Sequence, residues 1–113
     1  MRISEREVSE VVVLDLRGRI TLRTGGEFRE KLNELQGRRV PRVLLNMEGI
    51  TYIDSAGLGE LVLAHKRNRA GVRYKFLAFR GQPLKQIRFT KLVTVFETFE
   101  NEAEALASFR PAA

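Results

Sequence analysis

The sequence has no cysteine, no tryptophan, one histidine and three prolines. Without cysteine there is no disulfide framework, no thiol nucleophile and no cysteine-ligated metal. One histidine excludes His-rich zinc sites and makes any Ser-His-Asp triad depend on His65. Apolar runs reach only four residues, as from Val11 to Leu14, against the roughly 20 that a spanning helix needs. The opening residues Met1-Arg2-Ile3-Ser4-Glu5-Arg6-Glu7 are charged and lack the apolar stretch of a signal peptide. These absences lead to the expectation of a soluble cytoplasmic protein with no membrane span, no metal site and no cofactor.

What is present is an ordinary globular mixture, 43% hydrophobic and 30% charged. At 113 residues the chain suits one domain with one core, residues 1–113. There is no internal repeat and no linker, and only the tail Pro111-Ala112-Ala113 looks flexible. Twenty Lys and Arg against fourteen Asp and Glu leave a net charge of +6, which suits an acidic partner.

Periodicity and capping signals divide the chain. Ile3 to Glu7 reads as an edge strand. Val11 to Leu16 is β-branched and apolar on both faces, hence a strand inside a sheet, followed by a turn or bulge at Arg17-Gly18-Arg19. Thr24 and Glu27 form a capping box for a helix carrying Phe28, Leu32 and Leu35 and stopping at Gly37. Pro41 precedes a second core strand, Arg42 to Met47, and a turn at Glu48-Gly49 leads to the short apolar piece Ile50 to Ile53.

A helix with Leu58, Leu61, Val62 and His65 on one face then runs to Ala70-Gly71. Tyr74 to Phe79 is a strand. Pro83 opens a helix with Leu84 and Ile87, Leu92 to Phe96 is a short strand, and Asn101 with Glu104 caps a last helix with Ala105, Leu106 and Phe109. Strands alternating with helices give an α/β fold with a mixed, mostly parallel sheet of four to five strands packed against about four helices.

The most informative segment is Asp54-Ser55-Ala56-Gly57-Leu58-Gly59, between an apolar strand and an amphipathic helix. Asp54 or Ser55 can cap the first turn, and the glycines allow close backbone approach. The exposed N–H groups of a helix start tolerate an anion, so a phosphate on the serine would be accommodated. The segment lacks the Gly-Lys-Ser/Thr ending of a phosphate loop and the Gly-x-Ser-x-Gly of a nucleophile elbow. His65, almost three turns along the same helix, cannot complete a triad with Ser55, and a structural role suits it better. The glutamates from Glu27 to Glu34 and from Glu97 to Glu104 fall on solvated faces or helix starts, with no pair placed for acid–base work. Nothing here points to an enzyme.

The stretch Thr51 to Gly59 resembles the signature of the STAS domain, in particular that of the bacterial anti-sigma factor antagonists. The resemblance extends to Leu16-Arg17-Gly18-Arg19-Ile20, to Val43-Leu44-Leu45-Asn46-Met47, and to Leu92-Val93-Thr94-Val95-Phe96 followed by Glu104-Ala105-Leu106. It implies the STAS fold and a phosphorylation switch at the serine after the signature aspartate, here Ser55. In similar antagonists the unphosphorylated form binds an anti-sigma factor that is itself the serine kinase, a sigma factor is released, and a PP2C-type phosphatase resets the switch. Implied contacts are Asp54, Ser55, Ala56, Gly57, Leu58 and Glu60, with Arg19, Thr21 and Arg23 from the first loop. A weak homodimer is a further implied partner, and direct binding of nucleic acid is not implied.

Two positions depart from the family pattern. Thr21 stands where many relatives carry an aspartate that helps recognition by the kinase, and Lys91 replaces a glycine in the late Thr-Gly-Leu pattern, which puts that turn in question. Thr21 favours an alternative, a STAS scaffold or transporter-associated subunit outside kinase control. From Leu61 to Phe96 there are nine basic residues and no acid. The stretch reads as a solvated face first, then as an electrostatic guide toward an acidic partner, with nucleic acid last.

Overall fold

The computed structural model describes residues 1–111, so Ala112 and Ala113 of the flexible-looking tail lie outside the described residues. The elements are β1 (Arg2–Val8), β2 (Val11–Ile20), α1 (Gly25–Gly37), β3 (Arg42–Ile53), α2 (Ser55–His65), β4 (Arg73–Leu77), α3 (Gly81–Phe89), a 3-10 turn (Leu92–Thr94), β5 (Thr98–Phe99) and α4 (Glu102–Ser108). The strands form one sheet in sequence order, with β1 antiparallel to β2 and every later pair parallel. The expected α/β architecture with a mixed, mostly parallel sheet is present, with five strands and four helices among the described residues.

The double-sided apolar strand β2 lies inside the sheet because each of its faces is covered. Val12, Leu14 and Leu16 join Val43, Leu45 and Met47 of β3 under α1, α2 and α3. Val11 and Val13, with Leu44 and Leu77, meet Ala105 of α4 on the other face. From α1, Phe28, Leu32 and Leu35 are fully buried, each contributing roughly 1.5–3 kcal/mol of burial free energy.

Several local expectations change. No turn forms at Glu48-Gly49, and β3 runs unbroken through it. Opposite, β2 carries register shifts between Asp15 and Arg17 and between Gly18 and Arg19, the bulge expected at Arg17-Gly18-Arg19. A Cβ on Gly49 would lie 2.5 Å from the Leu16 carbonyl oxygen, so the glycine admits the bulged strand and does not turn the chain. Leu92 to Phe96 is not a strand: the Val95 and Phe96 N–H groups both donate to the Leu92 carbonyl. Phe96 is thereby buried against Phe76, 4.5 Å between ring centroids, and the fifth strand is Thr98–Phe99.

Helix ends differ too. Thr24 does not form the capping box. Its hydroxyl donates to the Arg19 carbonyl at 2.6 Å and accepts from the Thr21 N–H at 3.0 Å, tying the loop to itself. Gly37 is the last residue of α1, but the left-handed residue that closes it is Arg39, with φ of 58°. The Arg39 and Val40 N–H groups bond back to the Gln36 and Leu35 carbonyls, a Schellman closure. Helix α2 stops at His65, five residues before Ala70, because Asn68 turns the chain by bonding the His65 carbonyl and both backbone groups of Tyr74. Strand β4 ends at Leu77, where Ala78 takes a positive φ of 61°. Helix α3 begins at Gly81, two residues before Pro83. Lys91 takes a left-handed conformation, with φ of 62°, which a glycine would favour. Asn101 caps α4 as expected, accepting from the Glu104 N–H at 3.1 Å.

Candidate functional site

Strands β2 and β3 are parallel neighbours, so the segments leaving their C-terminal ends lie side by side at one edge of the sheet, the customary ligand edge of such folds. After β2 comes the loop Thr21 to Thr24, and after β3 comes Asp54, extended, capping α2. One Asp54 carboxylate oxygen accepts from the Gly57 N–H at 2.8 Å, and the other accepts from the Leu22 N–H at 3.1 Å. Asp54 thus binds the loop to the helix start. Those two bonds, Gly57 first and Leu22 second, hold its carboxyl below the usual carboxylate range.

Because Asp54 supplies the cap, the Ser55 hydroxyl is not needed for it. Ser55 is the first helical residue and is exposed. Ala56 and Leu58 are half-buried, and Leu58 packs on the core. Gly57 is buried under β2: a Cβ there would lie 1.9 Å from the Ile20 carbonyl oxygen, and that carbonyl also accepts from the Asp54 N–H at 3.3 Å. The turn sits this low on the sheet only because position 57 has no side chain.

Glu60, expected on the exposed face of α2, is buried. Arg29 of α1 donates through Nε to both of its carboxylate oxygens at 3.1 Å, and its side chain packs over Gly25. Its spacing from Gly57 puts it on the inner face of α2, toward α1, so it joins the two helices. From the first loop, Arg19 and Arg23 are exposed, with the Arg19 guanidinium 5.7 Å from the centre of the Tyr52 ring. Thr21 is built into the turn, its carbonyl accepting from the N–H groups of Thr24 at 3.1 Å and Gly25 at 2.7 Å.

Between Arg23 and Thr21 stands Leu22, 80% exposed beside Asp54, with Tyr52 exposed nearby on β3. Sequence reading takes Leu22 only as part of the contact loop from Arg19 to Thr24 and does not single it out, although an apolar residue inside a polar turn is a signal for a contact surface. It also passes over Gln82 of α3, whose side-chain amide donates to the Ile53 carbonyl and accepts from the Ile53 N–H, each at 2.9 Å. No sequence signal links positions 29 apart in this way.

Other candidates lie elsewhere. His65 is at the far end of α2 from Ser55, half-buried against Phe96 with ring centroids 5.5 Å apart. Among the described residues no group of three or more His, Asp or Glu side chains is placed to hold a metal, and no helix is long and apolar enough to cross a membrane. The basic segment is not wholly a solvated face. Lys75 is buried, donating to the Ser108 carbonyl at 3.0 Å and hydroxyl at 2.9 Å, with Glu97 3.2 Å away.

The fold places the chain among known structures. An anti-sigma factor antagonist from Mycobacterium paratuberculosis superposes with a TM-score of 0.88 at 16% identity, covering 97% of this chain and 94% of that one. A protein described as an anti-sigma factor antagonist from Thermotoga maritima gives 0.88 at 18% identity, covering 96% and 95%. The phosphorylated form of the Bacillus cell-fate determinant SpoIIAA gives 0.70 at 20% identity, covering 96% and 100%. At these identities the likeness establishes the fold. No curated protein matches the sequence. The family model of the STAS domain matches residues 2–105, and with the five-stranded sheet and the Asp54-capped α2 in place, this chain belongs to the STAS domain family.

Proposed function

We propose that this chain is an anti-sigma factor antagonist acting as a single STAS domain, switched by phosphorylation at Ser55. One observation carries the reading: Asp54 does the capping, which leaves Ser55 exposed at the first position of α2 with no structural duty. A phosphate there adds about −1.5 to −2 charges and three acceptor oxygens. The helix start tolerates it, so the fold survives, while the surface formed by Asp54, Ser55, Leu22, Arg19 and Arg23 changes its charge. Unphosphorylated, that surface binds the anti-sigma factor, which is also the kinase, through Leu22 as an apolar anchor and the arginines as steering charges. Phosphorylated, it carries a dianion beside Asp54, and a partner packed there must leave it unpaired or repel it. A PP2C-type phosphatase returns the chain to the binding form. The structural relatives described as anti-sigma factor antagonists support this reading.

The test is phosphotransfer from the cognate anti-sigma factor kinase with ATP, read by mass spectrometry. The expected result is one phosphate on Ser55, lost in Ser55→Ala, and weaker binding of the anti-sigma factor by Ser55→Asp. No phosphate, or phosphate retained by Ser55→Ala, ends the proposal.

Thr21 favours a second reading, a scaffold or transporter-associated STAS subunit. No carboxylate stands at this position to meet a kinase, and the residue is occupied in holding its own turn. Co-purification with a permease or a large assembly, together with no phosphotransfer, selects it.

A further inference from the structure

At the edge of the sheet opposite Ser55, the ends of α1 and α2 enclose a cavity of about 190 Å³. Arg39 and Val40 line it from the chain after α1, Arg67 and Arg69 from the chain after α2, and Val72 and Tyr74 from β4 and its approach. Three arginines therefore share its lining with Gln36, two valines and a tyrosine that is only 2% exposed.

No carboxylate in the described residues pairs with that charge. None of the nine ion pairs among the described residues involves Arg39, Arg67 or Arg69. The carbonyl ends of the two helices favour nearby cations only weakly, an effect screened at exposed positions and confined to the last turn. The last carbonyls of α1 accept from the Arg38, Arg39 and Val40 N–H groups, and those of α2 from Lys66, Arg67 and Asn68. Arg67 is pinned by neutral groups, donating to Gln36 at 2.5 Å and Asn33 at 2.8 Å, while its buried Nε has no partner. Arg39 occupies the left-handed closing position of α1, where glycine is the unstrained choice. Three like charges and one strained arginine beside an apolar lining are unfavourable for the empty site and complementary to an anion.

We propose that this cavity binds a small organic anion, with its carboxylate or phosphate group met by Arg39 and Arg69 and a compact apolar body seated on Val40, Val72 and Tyr74. Its volume falls below the roughly 300–1,000 Å³ of pockets that enclose drug-sized ligands, so one ring or a short branched chain fits and a nucleotide does not. The site stands apart from Ser55, at the other end of α2, and does not depend on the switch.

Benzoate and phenyl phosphate are the probes, with inorganic phosphate as the head alone and benzyl alcohol as the body alone. Each is titrated into methyl-labelled protein and followed by NMR. The expected result is saturable shifts at the Val40 and Val72 methyls and the Tyr74 ring, with a Kd below about 1 mM for at least one of the two ring anions. Both single-group probes bind at least about ten-fold more weakly. Arg39→Gln and Arg69→Gln, at exposed positions, each weaken binding about ten-fold while amide shifts near Ser55 stay in place. In the unmodified protein, added salt weakens binding of the ring anions and leaves benzyl alcohol unaffected. Failure of both ring anions to saturate by about 10 mM, equal binding of benzyl alcohol, or shifts mapping elsewhere overturns the proposal.

Discussion

The side-chain amide of Gln82 brackets the backbone of Ile53, accepting from its N–H and donating to its carbonyl at 2.9 Å each. One side chain from α3 thus does what a neighbouring strand would do for the last residue of β3, next to Asp54 and Ser55. Removing it leaves two backbone groups unmet on a buried residue. Gln82→Ala is expected to lower stability by roughly 2 kcal/mol and to speed amide exchange at Ile53. Gln82→Glu gives a sharper check. Ionised, it cannot donate to the Ile53 carbonyl; protonated, it can. Its stability deficit should therefore shrink as pH falls through the carboxylate range, and a deficit constant with pH refutes the bracket.

Two glycines of α2 predict opposite signs. A Cβ at Gly57 would lie 1.9 Å from the Ile20 carbonyl oxygen, whereas one at Gly59 meets nothing within 4 Å. Gly57→Ala must displace β2 or the helix start and is expected to cost about 3 kcal/mol. Gly59→Ala, in an exposed helical position, is expected to stabilise by about 1 kcal/mol. Denaturant titration of both variants decides it, and a Gly57→Ala protein as stable as the parent contradicts the close approach.

Glu5 of β1 sits 2.8 Å from both Lys31 of α1 and Arg38, the residue that follows α1. Hydrogen bonds from Arg38 first and Lys31 second bring its pKa down from an ordinary 4.5 to about 2. A lowered carboxylate pKa stabilises the fold above the unfolded value, and that contribution is lost as pH falls from about 4.5 to about 2. Glu5 is partly solvated, so screening reduces the contribution to roughly 1 kcal/mol. At pH 7, Glu5→Gln should therefore be about 1 kcal/mol less stable than the parent. The gap should narrow as pH falls below about 4.5, closing near 2. A gap unchanged by acid shows that the network contributes nothing through charge.

The elements legible in the sequence were those built from neighbours in the chain. The β-branched run of β2, the 28–32–35 stripe of α1, the cap offered by Asp54 or Ser55 and the Asn101 cap each rest on contacts within a few residues, and all are present, the first cap supplied by Asp54. The signature from Asp54 to Gly59 likewise marked the helix start that carries Ser55. Most misreadings arose where a residue answers to a distant part of the chain, while the capping box expected at Thr24 failed locally because its hydroxyl bonds Arg19 and Thr21 instead. Gly49 signals a turn locally but faces the bulge of β2, and the apolar run after Lys91 signals a strand but winds into a 3-10 turn to bury Phe96.

The sequence by itself determined the alternation of strands and helices, the apolar stripes of the core elements and a polar helix start at Asp54-Ser55, because hydrophobic period is local. Only the tertiary structure decided that Asp54 also holds the Leu22 loop, that Gln82 secures the end of β3, that Glu60 turns inward to Arg29, and that three arginines converge on one apolar cavity. Those relationships join residues about thirty positions apart, and parallel strand pairing brings them together, which no window along the chain contains.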